Sequence, residues 1–309
     1  MNLNCEQSGY FNMGSHAATL HKAKTEKNDE FYTQYEDIEK ELLHYKDDLK
    51  GKRVLLPCND AKKSSNNFYI YLKNNFNFYG LKNIKALEYR PWAAGKVLTF
   101  DGIKEEKDEL MGSGSYNSPE ALEFLDEVDI VITNPPFSVA KDFLNLLVRK
   151  NKDFILVAPQ TVLNLVSLFP YVQSYKVHTG FTSIKNFKKN SDGSITKFGN
   201  IVWITTLNVE DKPFLPIVEQ DISKFKHFDN YSSILNIDKL EDIPKNFDGV
   251  MGVPITILAK FNPKQFKILG TSDIVAALKN YLDKDAFDTD ISCVEGKKIF
   301  KRIFIQNIK

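Results

Sequence analysis

Apolar positions first recur at helical spacing and then gather into short uninterrupted runs. Ile38, Leu42, Tyr45 and Leu49 are three or four residues apart, so they share one face of a predicted helix. The run 54–56 is wholly apolar and is closed by a proline, which is typical of a strand buried on both faces of a sheet. This alternation predicts an α/β fold whose sheet is mostly parallel, with helices on both faces.

The same alternation continues to about residue 207. It predicts helices over 68–76, after Ser118, around 143–147 and from Thr161 to Pro170, with strands over 84–89, 128–133 and 154–158. Two later strands, 175–182 and 201–207, are expected to pair as a hairpin, because a turn signal lies in the polar segment between them. We therefore predict a flexible tail over 1–25, a domain over 26–208 and an irregular region over 209–309.

The overall charge is nearly balanced, but its distribution is not. The 309 residues include 41 Lys and Arg against 40 Asp and Glu, whereas a protein built mainly to neutralise phosphates is usually basic. Residues 171–208 nevertheless contain five lysines and one acidic residue, while acidic residues crowd 105–109 and 120–129. Because salt at ~0.15 M screens charges beyond about 8 Å, this segregation predicts one local basic face rather than indiscriminate coating of nucleic acid.

The cysteines and the apolar runs exclude several other classes. Cys5, Cys58 and Cys293 are far apart and form no CxxC pair, so neither a zinc site nor a disulfide framework is predicted. The longest apolar runs are well short of the ~20 residues that span a bilayer. We expect reduced thiols, no bound metal, no membrane segment and a cytoplasmic protein.

A motif at the end of a strand is the main candidate for chemistry. The predicted buried strand 129–133 runs directly into Asn134, Pro135, Pro136 and Phe137, and ligands of parallel α/β sheets bind at the carboxyl ends of strands. The prolines fix the backbone and remove two N–H donors. The Asn134 oxygen and the Pro135 carbonyl can then accept hydrogen bonds from an amino group while Phe137 stacks on its ring. The alternative is that Pro-Pro only turns the chain after the strand.

Such a cage suits methyl transfer to an exocyclic nitrogen. That nitrogen is a weak nucleophile while its lone pair is delocalised into the ring. Accepting both of its hydrogens favours the tetrahedral geometry needed for attack on a sulfonium methyl group. No titrating base is needed before the attack, which agrees with a motif that contains neither His nor Cys.

Five blocks together resemble the EcoRI-type adenine-specific DNA methyltransferase family of type II restriction-modification systems. They are residues 21–24 (His-Lys-Ala-Lys), 29–35 (Asp-Glu-Phe-Tyr-Thr-Gln-Tyr), 58–60 (Cys-Asn-Asp), 133–138 (Thr-Asn-Pro-Pro-Phe-Ser) and 249–256 (Gly-Val-Met-Gly-Val-Pro-Ile-Thr). The tetrad alone also occurs in enzymes that methylate RNA bases or protein glutamine amides, so the specificity comes from the co-occurrence of the blocks. The resemblance covers most of the chain from about residue 20.

The resemblance implies a fold, a donor and a substrate. The fold is a Rossmann-like methyltransferase sheet with a late hairpin, followed by a C-terminal target-recognition region over 209–309. The donor is S-adenosyl-L-methionine, and the acceptor is N6 of an adenine flipped out of double-stranded DNA. A cognate restriction endonuclease would be a functional partner without forming a stable complex, and the enzyme itself is expected to be a monomer.

The resemblance also implies a donor site. Its residues come from four segments and are Phe31, Tyr32, Thr33, Cys58, Asn59, Asp60, Glu88, Ser115 and Tyr116. The first segment matches the one that contacts the methionine part of the donor, and the second matches the one that holds its amino-acid end. Glu88 ends the second predicted strand, where a carboxylate commonly accepts both ribose hydroxyls.

Two departures from the family pattern leave alternatives open. Ala61 and Lys62 stand where a second Asp and a Pro are usual, and Ser115 stands in place of an Asp. A degenerate DNA-binding module that no longer binds the donor is therefore one alternative. An RNA adenine methyltransferase is the other, because the tetrad does not by itself distinguish the two nucleic acids.

A basic segment between the two late strands is the candidate DNA contact. Its cations are Lys185, Lys188, Lys189 and Lys197. They are interleaved with Phe187 and Phe198, so the segment is predicted to follow the phosphate backbone or to probe a groove. A plain solvated lysine face is the alternative.

Overall fold

The computed structural model describes residues 31–58, 67–189, 193–272 and 292–308. The described chain divides into two compact units. The first, which we call the catalytic unit, contains residues 31–163 and 177–207. The second, the C-terminal unit, contains 164–176 and the described residues from 208 onward. The predicted tail over 1–25 lies outside the described residues.

Most of the regular structure is β-strand. The strands are β1 (Phe31–Thr33), β2 (Arg53–Leu56), β3 (Asn83–Glu88), β4 (Lys96–Phe100), β5 (Glu105–Glu109), β6 (Ile130–Thr133), β7 (Asp153–Pro159), β8 (His178–Ser183), β9 (Asn186–Lys189), β10 (Ile195–Lys197), β11 (Ile201–Thr205), β12 (Lys226–Phe228), β13 (Tyr231–Asn236), β14 (Met251–Pro254), β15 (Phe266–Thr271), β16 (Cys293–Val294), β17 (Lys297–Lys298) and β18 (Arg302–Asn307).

The helices are short. They are α1 (Tyr35–Leu42), α2 (Lys46–Leu49), α3 (Asn67–Asn74), α4 (Phe76–Tyr79), α5 (Pro119–Glu127), α6 (Ala140–Arg149), α7 (Phe169–Gln173) and α8 (Ile257–Lys260), with 3₁₀ segments at Leu43–Tyr45, Gln160–Asn164, Ile222–Lys224 and Leu240–Asp242. Among the described helices, none is both long and apolar enough to cross a membrane.

The catalytic unit is built on an eight-stranded mixed sheet of order β5-β4-β3-β2-β6-β7-β11-β8. Its centre, β3-β2-β6-β7, is parallel, and these strands are largely apolar and buried, as expected for strands covered on both faces. The predicted α/β class is therefore confirmed. A separate three-stranded sheet, β1-β9-β10, is antiparallel throughout.

Sequence signals for individual elements are largely confirmed in this unit. Ser118 caps α5 by accepting a hydrogen bond from the Ala121 amide at 3.2 Å, and proline occupies the first helical turn. Helix α4 ends at Gly80, a glycine with φ of 60°, which is typical of a helix C-terminus. The predicted late hairpin corresponds to β8 and β11, which pair antiparallel.

The prediction of a mostly parallel sheet is wrong at the edges, where four of the seven strand pairings are antiparallel. Strand β5 has the sequence Glu-Glu-Lys-Asp-Glu and is largely exposed at the sheet edge. An apolar pattern cannot reveal such a strand, because charges are favoured on edge strands. The Asp101 carboxylate organises the turn before it by accepting hydrogen bonds from the Ile103 and Lys104 amides.

The C-terminal unit is not the irregular region that the sequence predicted. It contains a five-stranded sheet of order β12-β13-β14-β18-β15, in which only β13 and β14 are parallel neighbours. Its core includes Phe228, Ile234, Leu269 and Phe304. The strands were missed because they are short and polar residues interrupt them, as Ser232 and Ser233 do in β13.

The chain before β8 also differs from its predicted structure. The apolar pattern predicts a helix from Thr161 that ends near Pro170, but the chain forms a 3₁₀ segment and then α7, which has Pro170 in its first turn. Proline is tolerated there because the first helical N–H groups have no partner within the helix. Helix α7 packs within the C-terminal unit, where the Gln173 amide donates to the Leu269 carbonyl at 2.7 Å.

The cysteine prediction is wrong for one residue. Cys293 is disulfide-bonded, whereas Cys58 is a free thiol, as predicted. Sequence spacing does not exclude a single bridge, because the distance between two Cα atoms in the folded chain decides whether it forms.

Candidate active site

Predicted site residues from three neighbouring strands lie together at the carboxyl ends of the parallel central strands. Cys58 follows β2, Glu88 ends β3 and Asn134 follows β6. Because these strands are parallel and adjacent, their carboxyl ends face the same side. This edge is where ligands bind in α/β sheets. Asn59 and Asp60 lie outside the described residues.

The side chain of Asn134 is held in one orientation. Its Nδ2 donates to the Phe31 carbonyl and, at 3.2 Å, to Thr33 Oγ1. Its Oδ1 is buried and has no hydrogen-bond partner among the described residues. An unsatisfied buried acceptor costs about 1–3 kcal/mol, so this oxygen is suited to receive a hydrogen bond from a ligand amino group.

The two prolines shape the chain after β6. Pro135 is buried, and the Pro136 carbonyl accepts a hydrogen bond from the Val139 amide at 3.0 Å. That bond turns the chain into α6. The backbone therefore leaves the sheet edge immediately after Asn134, which keeps the tetrad at the carboxyl end of the strand.

Phe137 lies in an aromatic cluster. Its ring is 3% exposed and stacks against Phe31, with ring centroids 5.6 Å apart at 24°. Edge contacts to Phe187 and Phe198 complete the cluster, at 6.2 and 5.9 Å. A base can stack on this ring only if a neighbouring ring moves. We call Phe31, Phe137, Phe187 and Phe198 the aromatic cluster.

Glu88 is a buried, ionised carboxylate. Arg90 Nε donates to its Oε1 at 2.8 Å, and Lys107 Nζ lies 3.3 Å from its Oε2. Burial disfavours the charged form, but these two cations outweigh burial and lower the pKa of Glu88. A ribose would therefore meet a carboxylate that is already paired.

Cys58, Ser115 and Tyr116, which are also predicted to bind the methyl donor, are uncharged. Burial raises the pKa of the Cys58 thiol to about 12, so it is protonated at neutral pH. Ser115 Oγ donates to Asn117 Oδ1 at 2.7 Å, and the Tyr116 ring packs edge-on against Phe143 at 5.0 Å. Among the described residues, no group of three or more His, Cys, Asp or Glu side chains is arranged to hold a metal ion.

The predicted basic segment forms the antiparallel pair β9–β10, which we call the catalytic-unit hairpin. Lys185, Lys188 and Lys197 are exposed on it, and the side chain of Lys189 lies outside the described residues. Phe187 and Phe198, in contrast, are buried in the aromatic cluster. These two rings therefore belong to the core and are not exposed beside the lysines, and DNA contact by the lysines stays a prediction.

Sequence reasoning missed a buried carboxylate that joins α1 to strand β8. Glu41, in α1, is fully buried and accepts hydrogen bonds from Tyr45 Oη and from the Phe181 and Thr182 amides at 2.7–2.9 Å. Gly180 permits this approach, because a Cβ there would lie 2.0 Å from Glu41 Oε1. The available signal was a glutamate on the apolar stripe of α1.

A mixed α/β sheet with an oriented Asn-Pro-Pro-Phe tetrad at its carboxyl edge is characteristic of amino-group methyltransferases. Comparison with known sequences narrows this class. The sequence profile of the family described as "Adenine-specific methyltransferase EcoRI" matches residues 19–108 and 92–308. No solved structure matches the chain significantly.

Three curated relatives agree with the family match. The type II methyltransferase M.EcoRI of Escherichia coli is 33% identical, over 93% of this chain and 96% of that protein. M.MpnI of Mycoplasma pneumoniae is 33% identical and M.MgeORF184P of Mycoplasma genitalium 31%, each over 93% of this chain and at least 97% of the relative. The chain therefore belongs to the EcoRI family of adenine-specific methyltransferases, a family of type II DNA-modifying enzymes.

Proposed function

We propose that this protein transfers a methyl group from S-adenosyl-L-methionine to N6 of an adenine flipped out of duplex DNA. The observation that supports this most directly is the buried Oδ1 of Asn134, which has no partner among the described residues and lies at the carboxyl edge of the sheet. Family membership supports adenine as the base and DNA as the nucleic acid. A Rossmann-like methyltransferase sheet is part of the proposal, supported by the parallel centre β3-β2-β6-β7.

The tetrad would activate the amino group without a titrating base. Asn134 Oδ1 and the Pro135 carbonyl would each accept one N6 hydrogen, which draws the lone pair out of conjugation with the ring. When bound, the donor supplies an electrophilic methyl group on a sulfonium. Phe137 would stack on the base after a rearrangement of the aromatic cluster, and the N6 proton would leave to water after transfer.

The donor would bind at the adjoining strand ends. Glu88 would hold the ribose hydroxyls, and Tyr32 with Cys58, Asn59 and Asp60 would contact the methionine and amino-acid parts. A buried, ionised carboxylate at the end of β3 fits this role, provided that Arg90 or Lys107 releases an oxygen. Ser115 and Tyr116 would contact the adenine side of the donor.

DNA would be contacted by both units. Lys185, Lys188 and Lys197 are exposed on the catalytic-unit hairpin and would follow the phosphate backbone, with Lys189 beside them. The C-terminal unit would act as the target-recognition region. It exposes a second basic hairpin, β16–β17, which we call the C-terminal hairpin, together with the residues that follow it.

The C-terminal hairpin combines cations with an outward aromatic ring. Lys297, Lys298 and Lys301 are exposed, and Phe300 is 69% exposed. Its turn is fixed by Asp229, whose carboxylate accepts hydrogen bonds from the Glu295 and Gly296 amides. Cations beside an exposed ring suit backbone contact plus base stacking. Arg302, in contrast, is buried and pairs with Asp238 at 2.8 Å.

The experiment that tests this function is a methyl-transfer assay with tritiated donor, in which duplex DNA and structured RNA are presented in parallel. We expect label in N6-methyladenine of the DNA only. Label in RNA alone would favour an RNA methyltransferase. No label in either, together with no calorimetric heat on adding S-adenosylhomocysteine, would favour a non-catalytic DNA-binding module. We further propose a cytoplasmic monomer that forms no stable complex with an endonuclease.

A further inference from the structure

We propose that Thr33 is a positioning residue that fixes the orientation of the Asn134 amide, rather than a residue that binds the donor. The inference rests on the proposed function and deepens it, because it explains how the acceptor oxygen comes to face the base. Its physical basis is the pair of hydrogen bonds that Asn134 Nδ2 donates to strand β1.

The chemistry of the Phe31 carbonyl determines which end of the amide faces β1, and the Thr33 hydroxyl adds a second bond in that orientation. The Phe31 carbonyl can only accept a hydrogen bond, so the nitrogen of Asn134 must face it and the oxygen must point away. Thr33 Oγ1, at 3.2 Å from Nδ2, accepts the second N–H. A half-turn of the amide would lose the bond to the Phe31 carbonyl, which cannot donate, and would turn the Thr33 hydroxyl from acceptor to donor. It would also present NH₂ to the adenine amino group, where neither group can accept.

Thr33 is itself held firmly and faces inward. It is 2% exposed, so its hydroxyl is directed to Asn134 rather than to a ligand-accessible surface. Its carbonyl accepts a hydrogen bond from Asn67 Nδ2 at 2.8 Å, and its backbone lies opposite Phe187 of β9 in the antiparallel ladder. Strand β1 therefore links the catalytic-unit hairpin to the catalytic amide.

Two hypotheses for Thr33 make different predictions. If Thr33 binds the donor, its replacement weakens binding of donor and product. If it orients Asn134, replacement lowers kcat and leaves donor binding unchanged. The reason is that Asn134 Oδ1 contacts the base and not the donor, so turning it away impairs only the contact with the base. Removing one neutral hydrogen bond corresponds to about a 2- to 10-fold change, and more where a buried N–H is left unpaired.

The test compares Thr33→Val with Thr33→Ser and with a control, Thr205→Val. Thr205 is also fully buried in the catalytic unit, near the amino end of β7. Its hydroxyl accepts a hydrogen bond from the Leu207 amide at 3.0 Å and also bonds to the Tyr45 hydroxyl. We expect kcat to fall about 10-fold in Thr33→Val and to recover in Thr33→Ser. It should stay unchanged in Thr205→Val. The Kd for S-adenosylhomocysteine, measured by calorimetry, should stay within about 2-fold for all three.

A second readout does not depend on activity. The side-chain amide resonances of Asn134, assigned by their loss in Asn134→Asp, should shift in Thr33→Val and stay in place in Thr205→Val. A weakened Kd with wild-type kcat in Thr33→Val, or unshifted Asn134 amide signals, would overturn the inference. Absence of methyl transfer by the wild-type protein would instead refute the proposed function, and the amide signals would still decide the role of Thr33.

Discussion

The two basic hairpins have similar compositions and opposite architectures. In the catalytic-unit hairpin, lysines are exposed while Phe187 and Phe198 are buried. In the C-terminal hairpin and the residues after it, lysines are again exposed, but Phe300 is 69% exposed. The same residue types therefore serve different purposes, and the side to which the aromatic ring points distinguishes them.

This difference assigns a separate task to each hairpin. In the catalytic unit, the rings pack on Phe31 and Phe137, so the hairpin offers cations but no aromatic ring to DNA and uses its aromatic residues to support the tetrad. In the C-terminal hairpin, Val294 joins the core, whereas the Phe300 ring beyond β17 is exposed and available for stacking. The first is expected to be indifferent to sequence, whereas the second can sense a base.

The largest expected effect comes from Phe198→Ala. Phe198 is 1% exposed and contacts Phe31 at 4.8 Å and Phe137 at 5.9 Å. Loss of a buried aromatic ring costs about 3–5 kcal/mol, so chemical denaturation should show a large loss of stability, and methyl transfer should be abolished. The comparison would be broken if Phe300→Ala, the matched change in the other hairpin, destabilised the protein equally.

The next effect concerns charge. Replacing Lys185, Lys188 and Lys197 together with Gln should weaken DNA binding and reduce the slope of log affinity against log salt by about 2.7, at ~0.9 per phosphate contact. Fluorescence anisotropy across a salt series measures this slope. The control variant has the same change in charge at the amino ends of the parallel strands, where Gln replaces Lys50, Lys82 and Lys150. Equal slopes in the two variants would show that the hairpin has no special role.

The smallest effect is expected for Phe300→Ala in DNA binding. Stacking on one base contributes about 1–3 kcal/mol, so affinity for the target sequence should fall at least 5-fold while the salt slope stays unchanged. Binding to a scrambled duplex should change less, because unspecific binding is mainly electrostatic. If affinity for both duplexes is unchanged, the C-terminal hairpin does not stack on DNA.

The apolar pattern predicts the positions of the central strands well and the pairing of distant strands poorly. Uninterrupted apolar runs such as 54–56 and 130–133 predict buried parallel strands, and the tetrad after β6 can be recognised from its residue types. The pairing of β1 with β9 did not follow, because Phe31 and Lys189 are more than 150 residues apart and three-residue strands carry little periodicity. The orientation of Asn134 depends on that long-range pairing.

The C-terminal unit was hidden for a different reason. Its strands are only two to six residues long and polar residues interrupt their apolar runs. One strand pair is joined by the Glu295–Gly296 turn, which carries no strong hairpin signal. Hydrophobic patterning therefore indicated a core for residues 36–207 and not for the remainder. Positions such as Phe228 and Phe304, buried in β12 and β18, show that a core is present.

The most direct test of the proposed mechanism concerns Asn134. DNA would be sequenced, with detection of modified bases, from a methylation-free host that expresses either the wild-type chain or Asn134→Ala. We expect N6-methyladenine at one recurrent sequence in the first sample and none in the second, with similar melting temperatures for the two proteins. Equal methylation at the same positions in both samples would contradict the claim that the Asn134 oxygen holds the amino group that is methylated.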